Sequence, residues 1–94
     1  MRSRYSAFAL GERDYLLRSW HPAYRPAQLE LEPSVRWLGL KILACQAGGV
    51  HDAQGTVEFV ARSKCAGRAS RLHETSRFVR EHAIWLYCDG IMHD

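Results

Sequence analysis

Glu74 is the residue of this chain that is best placed, by its type and its neighbours, to carry acid–base chemistry. It lies in an alternating segment in which Ser76 and the apolar Leu72 and Phe78 share its face. A carboxylate that points among apolar side chains inside a cavity is a candidate general base. The alternative, which we favour, is that Glu74 pairs with an arginine such as Arg4 and fixes the first helix to the sheet.

His21 and Asp89 are two further candidate catalytic residues. His21 ends the second predicted helix beside Trp20. There it is either a general acid or base at a cavity rim or, as we favour, a cap that complements the helix dipole. Asp89 follows Tyr87, with which it would form a carboxylate–phenol pair suited to enolisation. Because an Asp-Gly pair is more often only a turn, we favour a turn at Asp89 and Gly90.

The other residues with reactive side chains show no recognised spacing. The remaining histidines form no metal-ligating pattern such as H-x-x-x-H. The cysteines are three in number and include no C-x-x-C pair, which favours neither a disulfide framework nor a zinc site. The sequence also lacks a G-x-S-x-G nucleophile elbow and a phosphate-binding glycine loop. We therefore expect no bound metal and no cofactor.

The composition is typical of a soluble globular domain with a small excess of positive charge. The 94 residues are 47% hydrophobic and 24% charged, with a formal net charge of +3. Because no apolar run is long enough for a membrane span and no signal peptide is recognisable, we expect a cytoplasmic protein. A few basic residues gather around one predicted hairpin without stacking aromatics, so we expect solvated strand faces and no nucleic-acid partner. These residues are Arg62, Lys64, Arg68 and Arg71.

Two short helices at the start of the chain precede the strands that would hold these side chains. Met1, Tyr5 and Phe8 recur at helical spacing, and Gly11 favours a break. Prolines from Pro22 onward prevent the second helix from continuing. The prediction is helices over about 2–10 and 12–20, followed by an extended connector over 22–34.

Beyond the connector, the apolar residues change to the two-residue period of strands. In the first strand Leu38, Leu40 and Ile42 are expected on one face and Trp37 nearer the other. Short connections between four strands predict an antiparallel meander, and the helices at one end of the chain predict an α+β fold. We expect the helices to cover the concave face of a curved sheet. The predicted strands are about 35–47, 56–65, 70–81 and 84–89.

Several blocks of the chain resemble the YchJ family of bacterial proteins, in order and in spacing, from the first residue to about Gly90. The blocks are MRSRYSAF at 1–8, WHP at 20–22, WLGL at 37–40, VEFVAR at 57–62, ETSRF at 74–78, WLY at 85–87 and DG at 89–90. The resemblance implies a nuclear transport factor 2-like (cystatin-like) cone, and it implies a fold and not a reaction. Relatives carry cysteine-rich SEC-C zinc motifs beside this domain. The cysteines here form no such cluster, so we expect the core domain alone.

We therefore expect one domain over residues 1–94 with an apolar cavity between its helices and its sheet. The preferred hypothesis is that this cavity or the sheet binds a small molecule or a protein partner. The alternatives are an acid–base enzyme of isomerase, dehydratase or hydrolase type, and a structural domain that forms homodimers through its sheet face. The residues expected to line the pocket are Tyr5, Trp20, Trp37, Phe59, Glu74, Ser76, Trp85 and Tyr87.

Overall fold

The computed structural model describes residues 1–31, 34–47, 49 and 51–93 as two short helices and one antiparallel sheet of four strands. The predicted α+β class is therefore confirmed. The strands lie side by side in the order β1-β2-β3-β4. The elements are α1 (Arg2–Leu10), α2 (Arg13–Arg18), β1 (Val35–Ala47), β2 (Gln54–Cys65), β3 (Arg68–Glu81) and β4 (Ile84–His93).

Gly11 ends α1 and lets the chain turn into α2. Its φ of 73° is left-handed, a conformation that costs a residue with a side chain about 1–2 kcal/mol. The N–H of Gly11 donates to the carbonyl of Phe8 at 3.3 Å, and that of Glu12 donates to the carbonyl of Ala7 at 2.8 Å. These bonds satisfy carbonyl groups that the end of the helix would otherwise leave unpaired.

The segment after α2, which was expected to be helical up to residue 20, pairs with β4 instead. Trp20 forms a parallel bridge with Tyr87. The N–H of His21 donates to the Tyr87 carbonyl at 2.7 Å, and the Tyr87 N–H donates to the Ser19 carbonyl at 2.8 Å. The Trp20 indole also donates to the Cys88 carbonyl at 3.3 Å. These bonds hold the end of α2 against the edge of the sheet.

A β-bulge in β1 changes the face on which its side chains lie. The pairing of β1 with β2 shifts by one residue at Leu38, which is 59% exposed. Trp37 consequently faces the helices, where its ring centroid lies 5.8 Å from that of Tyr5. The expectation that Leu38 shares a face with Leu40 and Ile42, away from Trp37, is therefore wrong.

A bulge in β4, at Cys88, changes the faces of that strand in the same way. The pairing with β3 shifts between Tyr87 and Asp89, so Tyr87 and Gly90 lie on the helix side and Asp89 lies on the other. The strand then continues to His93. The turn predicted at Asp89 and Gly90 is therefore wrong.

The helices cover one face of the sheet, called here the inner face, and leave the opposite outer face open. The core between the two layers contains small and large apolar side chains with very little exposure. No helix of the described residues is long and apolar enough to cross a membrane. Within the predicted connector, residues 32 and 33 lie outside the described part of the chain. The buried core residues of the helices and the inner face are Ala7, Leu16, Phe59, Ala61 and Phe78.

Candidate functional site

An apolar cavity of about 200 Å³ lies between α1 and the inner face. Six of the eight residues expected to line a pocket line this cavity, namely Tyr5, Trp20, Trp37, Phe59, Glu74 and Tyr87. Met1, Arg4, Phe8, Ala61 and Leu72 complete its wall. A wider and more open depression of about 790 Å³ follows residues 27–31. Its described lining brings only Arg13 and Glu30 as charged groups, so the smaller cavity offers the better set of converging polar groups.

Glu74 presents a buried carboxylate to this cavity and is 7% exposed. Its Oε2 accepts hydrogen bonds from the Ser76 hydroxyl and, at 3.3 Å, from the Tyr87 phenol. Ser76, also expected in the pocket, is fully buried and does not line the cavity. Its hydroxyl therefore orients the Glu74 carboxylate without being part of the cavity wall. Both hydrogen bonds that Glu74 accepts from the described residues go to Oε2, which leaves Oε1 available to a ligand.

Tyr87 remains a hydrogen-bond donor over the whole ordinary pH range. Burial, followed by the effect of the neighbouring Glu74 carboxylate, raises the pKa of the Tyr87 phenol to about 12. Because the phenol keeps its hydrogen, it fixes the position of the Glu74 oxygen that accepts the hydrogen bond.

Arg4, on α1, brings a guanidinium group to the same cavity and is 4% exposed. Its Nη1 donates to the Leu16 carbonyl at 3.1 Å and to the Ser19 hydroxyl at 2.7 Å. The group also lies 4.5 Å from the ring centroid of Tyr87 and 5.1 Å from that of Trp20. All hydrogen bonds of Arg4 to the described residues come from Nη1, so Nε and Nη2 are available to a ligand.

Arg4 and Glu74 do not form the direct ion pair that was expected between them. Glu74 takes its hydrogen bonds from Ser76 and Tyr87, whereas Arg4 fixes α1 to the end of α2. Burial lowers the pKa of Arg4, and the nearby Tyr87, Tyr15 and Glu74 act in the opposite direction. The two charged groups therefore act on each other electrostatically without a direct hydrogen bond between them.

His21 lies at the edge of the sheet and is not among the residues that line the cavity. Its Nδ1 accepts the N–H of Ala23 at 3.0 Å, which places the ring proton on Nε2. Nε2 lies 3.1 Å from the carboxylate of Glu81. His21 thus connects the end of the helical layer to the β3–β4 turn, in line with a packing role.

Asp89 lies on the outer face and does not form the pair expected with Tyr87. Its two carboxylate oxygens each accept a hydrogen bond from Arg77 at 3.0 Å. This hydrogen bonding lowers the pKa of the Asp89 carboxyl. The physical reason is the bulge at Cys88, which separates two side chains that strict alternation would place on one face.

Trp85 is the remaining expected pocket residue, and it lies outside the cavity. Its ring packs 5.7 Å from the guanidinium of Arg80, and it borders a separate depression together with Phe78 and Cys45. Trp85 is two residues nearer the β3–β4 turn than Tyr87, which removes it from the part of the inner face that α1 covers.

The residue that sequence reasoning undervalued most is Arg4, which it considered only as a partner for Glu74. A signal was present, because Arg4 lies three residues from Met1 and four from Phe8. Positions with these separations share one face of a helix. Arg4 therefore had to point in the same direction as the aromatic stripe of α1.

Comparison with known proteins identifies close relatives over nearly the whole chain. The family model described as YchJ, middle NTF2-like domain, matches residues 1–90. A UPF0225 protein of Chromobacterium violaceum is 55% identical over 98% of this chain and 70% of its own length. A UPF0225 protein of Bordetella pertussis is 58% identical over 96% of this chain and 67% of its own length.

Two solved structures have the same fold over the whole of this chain. One is the solution structure of a SEC-C motif containing protein from Rhodopseudomonas palustris, with a TM-score of 0.84 and 31% identity; the match covers 76% of that protein. The other is the crystal structure of a SEC-C motif containing protein from Psychrobacter arcticus, with a TM-score of 0.75 and 27% identity; the match covers 59% of it.

Proposed function

The chain belongs to the YchJ family, and from this premise we propose that its nuclear transport factor 2-like domain binds one small neutral molecule in the cavity beneath α1. The observation that carries the proposal is the combination of a formed apolar cavity with buried, oriented polar groups among the residues that line it. The polar groups are the Glu74 carboxylate, the Tyr87 phenol and the Arg4 guanidinium.

The volume of the cavity limits the size of the ligand. An engineered apolar cavity of roughly 150 Å³ accommodates benzene, so a cavity of about 200 Å³ suits a single ring or a short aliphatic chain with one polar group. The aromatic side chains of Tyr5, Phe8 and Trp37 provide the apolar walls. Such walls favour an aromatic ligand, because offset and edge-to-face ring contacts add to the burial of apolar area.

The charges around the cavity determine which polar group the ligand carries. Arg4 has donors to offer and Glu74 has an acceptor, Oε1, to offer. A neutral group with one acceptor and one donor, such as a primary amide, satisfies both. An anion would face the Glu74 carboxylate and a cation would face the Arg4 guanidinium, and each would leave one buried charge poorly compensated.

Three one-ring compounds that differ in charge test this proposal. Benzamide is neutral, benzoate is an anion and benzylammonium is a cation. We expect benzamide to bind most tightly, with a dissociation constant of about 1 mM for so small a ligand. The readout is the set of three tryptophan indole signals in a ¹H–¹⁵N spectrum. Trp20 and Trp37 line the cavity and their signals should shift, whereas Trp85 is the internal control.

A variant that fills the cavity provides the decisive comparison. Ala61 is 2% exposed and lines the cavity, so Ala61→Leu removes the space for the ligand and keeps every polar group. Ala69→Leu, at an exposed position of β3, is the matched control. Binding should be lost in the first variant and retained in the second. Unchanged indole signals with benzamide, or equal binding by both variants, would contradict the proposal.

A second candidate function is acid–base catalysis at the same cavity, favoured by the fixed orientation of the Glu74 carboxylate. The Ser76 and Tyr87 hydroxyls hold Oε2 of this carboxylate, and Glu74 is one of the residues that line the cavity. A neutral aromatic ketone such as acetophenone in D₂O tests this function, since a base would exchange its α-protons for deuterium. We expect any exchange above the buffer rate to disappear in Glu74→Gln. Exchange that is equal in the two proteins would exclude Glu74 as the base.

We also propose a cellular location and an oligomeric state for the protein. We propose a cytoplasmic location, supported by free cysteines of which Cys45 is exposed.

A homodimer through the sheet is supported by exposed apolar side chains on β1 and β4, among them Leu38, Leu43 and Ile91. Light scattering tests the dimer directly, since a pair has twice the chain mass of 10.8 kDa.

A further inference from the structure

We infer that Glu58, His73 and His93 form a binding site for Zn²⁺ on the outer face of the sheet. The three side chains each offer one ligand atom, and these atoms all lie within 4.8 Å of one another. The site is independent of the proposed ligand cavity, because consecutive side chains of a strand point to opposite faces. His73 points to the outer face and its neighbour Glu74 to the inner face.

Strand pairing brings the three residues together from distant parts of the sequence. His73 on β3 is directly opposite His93 on β4, and the centroids of their rings are 4.5 Å apart. Glu58 on β2 is opposite Thr75, which places it diagonally beside His73. The Glu58 carboxylate lies 2.7 Å from Nε2 of His73. The register of three strands, and not a local motif, thus creates the cluster.

The distances suit a tetrahedral ion after small side-chain movements. Zinc binds imidazole nitrogen and carboxylate oxygen at about 2.0–2.2 Å, which places neighbouring ligand atoms roughly 3.3–3.5 Å apart in a tetrahedron. The His73–Glu58 contact opens slightly to admit the ion, and the His93 ring moves inward by rotation of its side chain. Thr75 already contacts Nε2 of His93 at 2.8 Å and holds that ring over the same face.

The donor set selects the type of ion. Two imidazoles and one carboxylate match the protein ligands of open zinc sites, which keep a fourth position for water. Calcium and magnesium prefer oxygen ligands in larger numbers. His73 and Glu58 are half-buried, with side-chain exposures of 19% and 35%, while His93 is exposed. The open coordination position therefore faces the solvent.

Titration of the purified, untagged chain with Zn²⁺ and with Co²⁺ tests the site. We expect one ion per chain by calorimetry and a tetrahedral visible absorption spectrum with Co²⁺. His73→Asn and His93→Asn should each weaken binding by at least about 100-fold, more than the loss usually caused by removing an outer-shell partner. Glu58→Gln should weaken it by about 10-fold or more.

His82→Asn is the matched control, because His82 is an exposed histidine in the β3–β4 turn. Its φ of 50° is one that asparagine adopts readily, so the turn is preserved. Binding by this variant should equal that of the original chain. Circular dichroism without metal shows whether each variant is folded. We expect His93→Asn to disturb the fold least, because His93 lies near the end of β4.

Three results would overturn the inference. The first is the lack of saturable binding by the folded original chain. The second is equal binding by the His73, His93 and His82 variants. The third is a thiolate-to-cobalt charge-transfer band, which would assign the ion to cysteines such as the exposed Cys45. The Trp37 indole signal should remain unchanged when Zn²⁺ is added, which separates this site from the cavity.

Discussion

Replacement of Gly90 by alanine should displace the Glu74 carboxylate and destabilise the fold. An added Cβ at Gly90 would lie 2.5 Å from Cδ and 2.8 Å from Cγ of Glu74, and it would also overlap Oε2. These separations are too short for any pair of non-bonded carbon atoms. The Glu74 side chain would have to leave its position, and the hydrogen bonds from Ser76 and Tyr87 would break.

The expected loss follows from two opposing effects. Breaking hydrogen bonds to a buried carboxylate, and leaving the Ser76 hydroxyl without its partner, costs about 1–3 kcal/mol. Replacing glycine by alanine in a strand raises the free energy of unfolding by roughly 0.5–1 kcal/mol, because the unfolded chain loses conformational freedom. The free energy of unfolding of Gly90→Ala should therefore fall by about 1–2 kcal/mol. In a domain of this size the unfolding midpoint should fall by roughly 4–16 °C.

Urea and thermal unfolding of two glycine variants measure this effect. Gly39→Ala is the matched control, because Gly39 is also in a strand and an added Cβ there meets no atom within 4 Å. That variant should be as stable as the original chain or slightly more stable. When Glu74 has already been changed to alanine, the obstructing side chain is absent, and Gly90→Ala should then be neutral or slightly stabilising, as Gly39→Ala is. Equal stability of the two glycine variants, or a full loss in the Glu74→Ala background, would refute the reasoning.

Two further predictions concern the β3–β4 turn and the Tyr87 phenol. Ala83 has a φ of 66°, so Ala83→Gly should raise the free energy of unfolding by about 1 kcal/mol in urea melts, while Ala69→Gly in β3 should lower it. An unchanged or lower stability of Ala83→Gly would show that this turn carries no strain. Because the folded pKa of Tyr87 is about 12, above its ordinary value of 10.0, the phenol stabilises the fold below pH 10 and this contribution is lost as the pH rises towards 12. The decline in unfolding midpoint over that range should be smaller in Tyr87→Phe, and an identical decline would contradict the assignment.

Periodicity predicted the two layers and most of the cavity wall. The helical stripe of Tyr5 and Phe8 and the alternation around Phe59 and Glu74 point correctly to one shared interior. These predictions succeed because burial of apolar area imposes a period on each element, and that period is visible in the sequence.

Bulges explain where the periodicity failed. Leu38 in β1 and Cys88 in β4 are each an extra residue that has no direct partner on the neighbouring strand. Each one reverses the alternation of side chains beyond it. For this reason Trp37 was expected on the wrong face of β1, and Asp89 was wrongly expected to pair with Tyr87. No local residue type marks either position, because a bulge is fixed by the register of two strands that are distant in sequence.

The same bulge at Cys88 makes the Glu74 site possible. With strict alternation, Tyr87 and Asp89 would both face the cavity, and a second carboxylate would lie close to Glu74. Like charges at that distance in a poorly hydrated space would repel, and one of them would have to be neutralised. Because of the bulge, Asp89 lies on the outer face and accepts a hydrogen bond from Arg77. Gly90 then lies against the side chain of Glu74, where only a residue without a side chain fits. One inserted residue thus leaves a single oriented carboxylate beside the Tyr87 donor, which is the arrangement that the proposed binding of a neutral ligand requires.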